Sequence, residues 1–274
     1  MTQEWLDRHA VITVKAYPNP SAKYHETVCV AAITKEEGWI RLYPVQFRTL
    51  PQAKRFKKYQ QIHLKMTKHE RDSRPESYRP DELSIEAQDV IGSEMGWTRR
   101  WDWIRPTVNS SMCEIQQLQK TNGKSIGAFR PKAVLDFVIE DDQPDWSGRK
   151  QSALDQMTLF DERTERLEKI PMIFKYRYVC ADDACRGHTQ SIIDWELMEL
   201  YRNVRDRAAS SEEIKAKIRQ KYFDELCGPR KDTHFFVGNH SRFPNTFMIL
   251  GVFWPPLTDA NPDVKGSIQK SLFQ

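Results

Sequence analysis

The sequence predicts a protein of the α+β class, with a strand-rich amino-terminal half and a mixed α/β carboxy-terminal part. Two observations predict this class. Apolar segments with strand-like alternation fill residues 10–67, and apolar residues recur at helical spacing in residues 191–226. A chain of 274 residues is also long enough to bury a hydrophobic core without disulfides.

The first predicted unit is a small β-barrel in residues 8–80. Four segments have the composition of strands, and they are separated by turn-forming residues at 18–20 and 36–38. A short irregular segment at 47–58 precedes the fourth strand. This order fits a barrel of the OB type, although an SH3-like barrel would give the same pattern.

A second OB-like unit is predicted in residues 81–145. Strand patterns recur at 83–87 and 133–140, on either side of a segment with helical composition. The sequence thus predicts two tandem small β-barrel units as a weak internal repeat.

The remaining chain is predicted to form a linker, a third domain and a tail. Residues 146–168 are rich in charge and indicate a linker. Residues 169–256 predict a strand, two helices with serine caps at Ser191 and Ser210, and two closing strands. Residues 257–274 are interpreted as a tail.

Composition limits the location and the redox state. No stretch approaches the roughly 18 apolar residues of a membrane span, and the first residues lack the pattern of a signal peptide. We therefore expect a cytoplasmic protein without membrane contact. The odd number of cysteines, five, argues against a disulfide framework. Metal binding or simple burial in the core remain as roles for these residues. The net charge of +4 does not by itself identify a polyanionic partner.

A zinc site is the sharpest chemical prediction. Cys180, Cys185 and His188 provide two thiolates and an imidazole around a turn that Gly187 permits, which suits tetrahedral zinc. The fourth ligand is open between Cys227, His234 and His240, of which His240 is our choice. In the alternative interpretation these are ordinary reduced cysteines beside a strand-to-helix turn.

Nucleic-acid binding is predicted where basic and aromatic residues are interleaved. Cations follow phosphates while ring faces stack on bases, so single-stranded binders combine the two. Burial of the rings in a core, with the cations as a solvated edge, is the alternative. The predicted contact residues are Arg41, Tyr43, Arg48, Lys54, Arg55, Lys57, Lys58, Arg74, Arg99 and Arg100.

Four acids are weak catalytic candidates. Asp72 and Glu76 lie in a dense charged segment that can be either a salt-bridged corner or a site where arginines meet phosphate. Asp194 and Glu196 are two residues apart, which places them on different faces of a helix. No common NTPase, hydrolase or metalloprotease motif is present, so enzymatic activity stays open.

Two short peptides share the pattern Gln-x-x-Leu-Phe. They are formed by Gln156, Leu159 and Phe160, and by Gln269, Leu272 and Phe273. Both resemble the peptide by which bacterial repair proteins bind the sliding clamp, so the clamp is a candidate partner.

Several motifs resemble a known family. They are Tyr17–Ser21, Cys29, Gly38–Pro44, Phe47–Arg48, Phe56–Tyr59 and Asp72–Tyr78. Together they resemble the dual OB-fold domain of uncharacterised bacterial proteins linked to mobile elements and phage conflict. The resemblance implies nucleic-acid binding and no particular catalytic residues.

The hypothesis from the sequence is therefore a nucleic-acid-binding protein of a bacterial DNA-processing or phage-defence pathway, acting on single-stranded or distorted DNA. The alternatives are a nucleic-acid-modifying enzyme, such as a nuclease or a base-removing enzyme, and an adaptor recruited by the sliding clamp.

Overall fold

The computed structural model describes residues 4–21, 25–148, 150–152, 154 and 167–257. The strands are β1 (Leu6–Lys15), β2 (Asn19–Ser21), β3 (His25–Thr34), β4 (Gly38–Val45), β5 (Gln60–Lys68), β6 (Ser77–Pro80), β7 (Glu86–Val90), β8 (Val108–Asn109), β9 (Ile126–Phe129), β10 (Ala133–Asp141), β11 (Met172–Val179), β12 (His188–Ser191), β13 (His234–His240) and β14 (Phe243–Phe253). The α-helices are α1 (Glu94–Ile104), α2 (Met112–Asn122), α3 (Trp195–Arg205) and α4 (Ser211–Arg219), and a π-helical turn, Gln220–Glu225, follows α4. None of the helices in these ranges has the length and apolarity needed to cross a membrane.

The amino-terminal strands close into a barrel, which confirms the first predicted unit. Strand β1 pairs with both β3 and β5, and the sheet continues from β3 through β4 and β6 to β5. Its interior is apolar, with Ile12, Leu42 and Leu64 fully buried. Every second side chain of a strand points inwards, so the apolar residues that alternate along each strand form this core.

A second closed barrel is not found in the described part of the chain. The strand expected at 83–87 corresponds to β7, which pairs with β5 of the barrel sheet, and the strand expected at 133–140 is β10, which forms a second sheet with β11 and β12. A third sheet is formed by β8, β9, β13 and β14. Since β9 pairs with β13 and β10 with β11, residues 126–141 pair with the segment predicted as a separate domain. Strand pairing therefore crosses the linker that we predicted at 146–168.

The barrel and the carboxy-terminal sheets share a hydrophobic core. Trp39 of the barrel contacts Phe236 of β13 with 5.4 Å between the ring centroids, and Tyr59 contacts Phe253 of β14 at 6.2 Å. A β-bridge also joins Ala16 to Asp194. Side chains at this boundary are thus held by both halves of the protein, which makes it a place where a site can be assembled.

Helix α3 begins three residues later than predicted. Ser191 belongs to β12, and Asp194 is the N-cap whose carboxylate accepts a hydrogen bond from the Glu196 backbone N–H. The second cap is confirmed, because the Ser210 side chain accepts a hydrogen bond from the backbone N–H of Glu213.

Candidate functional sites

Three cysteines and one histidine form a cluster next to the β11–β12 connection. Cys180 follows β11, Cys185 lies in the loop and His188 begins β12, while Cys113 lies in the first turn of α2. All their candidate ligand atoms lie within 4.8 Å of one another. The Cys113 Sγ lies 3.4 Å from the His188 Nε2. This cluster can hold a metal ion.

The protonation states of the cluster respond to burial and to local hydrogen bonds. Burial raises the pKa of the Cys113 thiol to about 12 and also raises the pKa of Cys180. Burial acts in the same direction on Cys185, but its sulfur accepts hydrogen bonds from the backbone N–H groups of Cys180 and Gly187. These hydrogen bonds outweigh burial and lower the pKa of the Cys185 thiol. Burial lowers the pKa of His188, which favours the neutral imidazole that binds metals.

Cys113 occupies the position that we assigned to His240. The His240 side chain lies elsewhere, with its ring 5.5 Å from that of Phe243 and its Nδ1 accepting a hydrogen bond from the Arg242 backbone N–H. The other two candidates are also excluded. The Cys227 thiol donates to the Tyr222 carbonyl oxygen, and His234 is buried beside Trp101. Cys113 was missed because it precedes the other ligands by more than 60 residues and belongs to a separate helix.

A second site lies between the barrel and the carboxy-terminal sheets. It is a cavity of about 290 Å³, which we call the cationic cleft, and its walls carry polar groups from both halves. Its lining includes Arg41, Tyr43, His69, Arg71, Asp72, Arg74, Asn239 and His240. Four of the motifs that carry the family resemblance reach this cleft, since Tyr17, Cys29, Arg41 and Asp72 all line it.

Arg41 is a buried cation in the cleft wall. Its side chain is 2% exposed, and its two terminal nitrogens donate to the Ser125 hydroxyl at 2.8 Å and to the Ser125 carbonyl at 2.9 Å. The Glu76 carboxylate accepts hydrogen bonds from the N–H and the hydroxyl of the same serine. Burial lowers the pKa of Arg41, but a guanidinium remains charged in proteins. In the described ranges no carboxylate lies within 4.0 Å of this guanidinium.

Arg74 and Asp72 form a two-pronged ion pair at the edge of the cleft. The Arg74 Nε and a terminal nitrogen donate to the carboxylate at 2.9 and 2.6 Å, and they hold the pKa of Asp72 at about 2 despite partial burial. The other terminal nitrogen donates to the Asn239 carbonyl at 2.8 Å, across the boundary between the two halves. Arg71 is exposed and makes no hydrogen bond or ion pair to any residue that the structure describes. The cleft therefore keeps a positive excess.

Several predicted nucleic-acid contacts have internal partners instead. Arg48 pairs with Glu26 at 2.7 Å. Arg55 donates to the Leu50 and Arg48 carbonyl groups. Arg100 donates to the Ile91 carbonyl and lies over the rings of Tyr59 and Trp97. Lys54, Lys57 and Arg99 are at least partly exposed and lie outside the cleft lining.

Lys58 joins two of the predicted acids. Its ammonium lies 2.9 Å from the Glu196 carboxylate and 3.4 Å from that of Asp194. Our argument from helical faces was wrong, because Asp194 is the N-cap and lies outside the helix. Asp194 is buried, and burial raises its pKa to about 6 although Lys58 opposes this shift. The geometry gives Asp194 and Lys58 a structural role, as it does for Asp72, which pairs with Arg74, and for Glu76, which accepts hydrogen bonds from Ser125.

The two Gln-x-x-Leu-Phe peptides, at 156–160 and 269–273, lie outside the described residues.

Comparison with protein families divides the chain into two segments. A family described as a domain of unknown function, DUF8758, matches residues 7–106, and another so described, DUF8757, matches residues 108–274. The second match covers more than half of the chain. The protein belongs to the DUF8757 family. No curated protein matches the sequence. The first segment contains the barrel and α1, and the second contains the whole Cys113–His188 cluster. The cationic cleft takes residues from both, such as Arg41 from the first and His240 from the second.

Proposed function

We propose that the protein binds DNA, in a single-stranded or distorted form, through the cationic cleft. The observation that carries the proposal is the net positive charge of the residues that line this cavity. Its lining contains three guanidinium groups, of Arg41, Arg71 and Arg74, and one carboxylate, of Asp72, so that its formal charge is +2 when both histidines are neutral. Phosphate groups are the complementary charges on nucleic acid.

The cleft also offers a ring for stacking. Tyr43 is half-buried in its wall, with its ring 6.3 Å from that of His69. Bases of single strands stack on aromatic side chains, and stacking together with phosphate contacts supplies most of the affinity of proteins that bind without sequence preference. A duplex would have to be opened or distorted for a base to reach a ring in a cavity of this size.

We propose zinc as the metal of the cysteine–histidine cluster. Three thiolates and one imidazole are a preferred zinc donor set, and four protein ligands leave no open coordination position. The ion would then have a structural role: it would tie α2, through Cys113, to the β11–β12 connection. The family resemblance supports a place in a bacterial DNA-processing or phage-defence pathway.

The test is the binding of a labelled oligothymidylate, followed by fluorescence anisotropy over a series of salt concentrations. We expect binding that weakens with salt, and Arg71→Ala should reduce the slope of log affinity against log salt by about one. Arg79→Ala is the matched control, because Arg79 is an exposed barrel arginine outside the cleft lining. Equal slopes for Arg71→Ala and the unaltered protein, or no binding at low salt, would contradict the proposal.

A further inference from the structure

We infer that the cationic cleft recognises a phosphate monoester, as carried by the phosphorylated end of a strand or by a free nucleoside monophosphate, in preference to the phosphodiesters inside a strand. Recognition of a phosphorylated strand end rests on the proposed function. Binding of a free nucleoside monophosphate does not, and it tests the specificity of the cleft independently.

The size of the cleft favours a single nucleotide. Its volume of about 290 Å³ lies at the lower end of small-molecule sites, which span roughly 300–1,000 Å³. Walls from both halves of the protein bound it, with Tyr43 and His69 on the barrel side and Asn239 and His240 on the other. The end of a DNA strand can enter a cavity through one opening, whereas an internal nucleotide requires the strand both to enter the cavity and to leave it.

The charge of the cleft fits a monoester better than a diester. A phosphate monoester carries about −1.5 to −2 near neutral pH, because its second pKa is about 6. A diester within a strand carries a single negative charge. The formal +2 of Arg41, Arg71 and Arg74 against Asp72 matches the monoester.

Arg41 is preorganised for this task. Its guanidinium is fixed by Ser125, which in turn is fixed by the Glu76 carboxylate, so the cation is held without a directly paired anion. Gly238 makes room for it, since a Cβ atom at this position would lie 3.0 Å from an Arg41 terminal nitrogen and 2.9 Å from the Leu250 side chain. A preorganised cation in a site of low dielectric binds an anion more strongly than a mobile surface cation does.

Two polar atoms of the lining lack a partner. The His69 Nδ1 and the Asn239 Oδ1 are buried and make no hydrogen bond with any described residue. A buried polar atom without a partner costs free energy. The phosphate, sugar and base of a nucleotide offer both acceptors and donors, which can form hydrogen bonds with these two atoms.

The experiment compares strands of one sequence that differ only at their ends. Anisotropy is measured for strands with a 5′-phosphate, with a 3′-phosphate and with two hydroxyl ends, and thymidine monophosphate and thymidine serve as free competitors. We expect one phosphorylated end to bind about tenfold more tightly than the hydroxyl ends, as one added charge-assisted hydrogen bond provides. The monophosphate should compete and the nucleoside should not.

Variants connect the effect to the cleft. Arg71→Ala should reduce the preference for the phosphorylated end, while Arg79→Ala should retain it, and thermal melting confirms that both are folded. Equal affinity for all strands would overturn the inference and leave the proposed function standing. Competition by the monophosphate without binding of any strand would support the inference for free nucleotides and overturn the proposed function. If neither strands nor the monophosphate bind, both are overturned.

Discussion

Replacing Cys113 by serine should weaken metal binding and destabilise the protein. Cys113 is the one cluster ligand contributed by α2, since the other three belong to the β11–β12 connection. Structural zinc supplies apparent free energies of about 10–16 kcal/mol in zinc-finger peptides, or roughly 3 kcal/mol for each of four ligands. At about 2–4 °C for each kcal/mol in a domain of 150–250 residues, the melting temperature should fall by roughly 10 °C.

The assay combines metal analysis with thermal unfolding. The unaltered protein should carry one zinc per chain, and Cys113→Ser should carry less and melt earlier. Cys227→Ser is the control, because Cys227 is a thiol outside the cluster whose hydrogen bond to the Tyr222 carbonyl a serine can replace. Full zinc occupancy and an unchanged melting temperature in Cys113→Ser would refute this account of the cluster. Loss of zinc from His240→Ala instead would restore the ligand set predicted from the sequence.

Three further predictions concern the cleft wall and the buried ion pair. Gly238→Ala should push the Arg41 guanidinium aside and weaken oligothymidylate binding in the anisotropy assay, with little loss of zinc. Lys58→Met leaves the Asp194 carboxylate buried opposite an apolar side chain, so it should lower the free energy of unfolding by about 3 kcal/mol in denaturant titrations. The control Lys57→Met changes an exposed side chain and should alter this free energy by less than about 0.5 kcal/mol. Because the pKa of Asp194 rises to about 6 on folding, its contribution to stability is greatest in acid and is lost as the pH rises through 6. Asp194→Asn should therefore flatten this part of the curve of unfolding free energy against pH. A curve that keeps the same slope in the variant would contradict this.

The first barrel was predictable because its information is local. Alternation within each strand and the turn residues between strands specify which side chains face the core. The second unit was not, since its strands pair over long distances: β9 pairs with β13, which begins more than 100 residues later. A strand pattern identifies a strand but does not identify its partner.

The candidate sites were partly predictable for a similar reason. Cys180, Cys185 and His188 are close in sequence and revealed the cluster, but Cys113 is distant and has no spacing signal. Charge in the sequence suggested exposed contacts, and yet Arg41 is buried because Ser125, far along the chain, accepts its hydrogen bonds. The cleft itself is built from both halves, so no single segment could predict it.

Photo-cross-linking is the most direct test of the claim that the cationic cleft contacts nucleic acid. A strand containing a photoreactive thymidine analogue is irradiated with the protein, and the modified peptides are identified by mass spectrometry. The account predicts cross-links to residues of the cleft lining, such as Tyr43 and His69, that diminish in Arg71→Ala. Cross-links confined to other surfaces, such as the one that carries exposed Arg55 and Lys57, or α1, would contradict it.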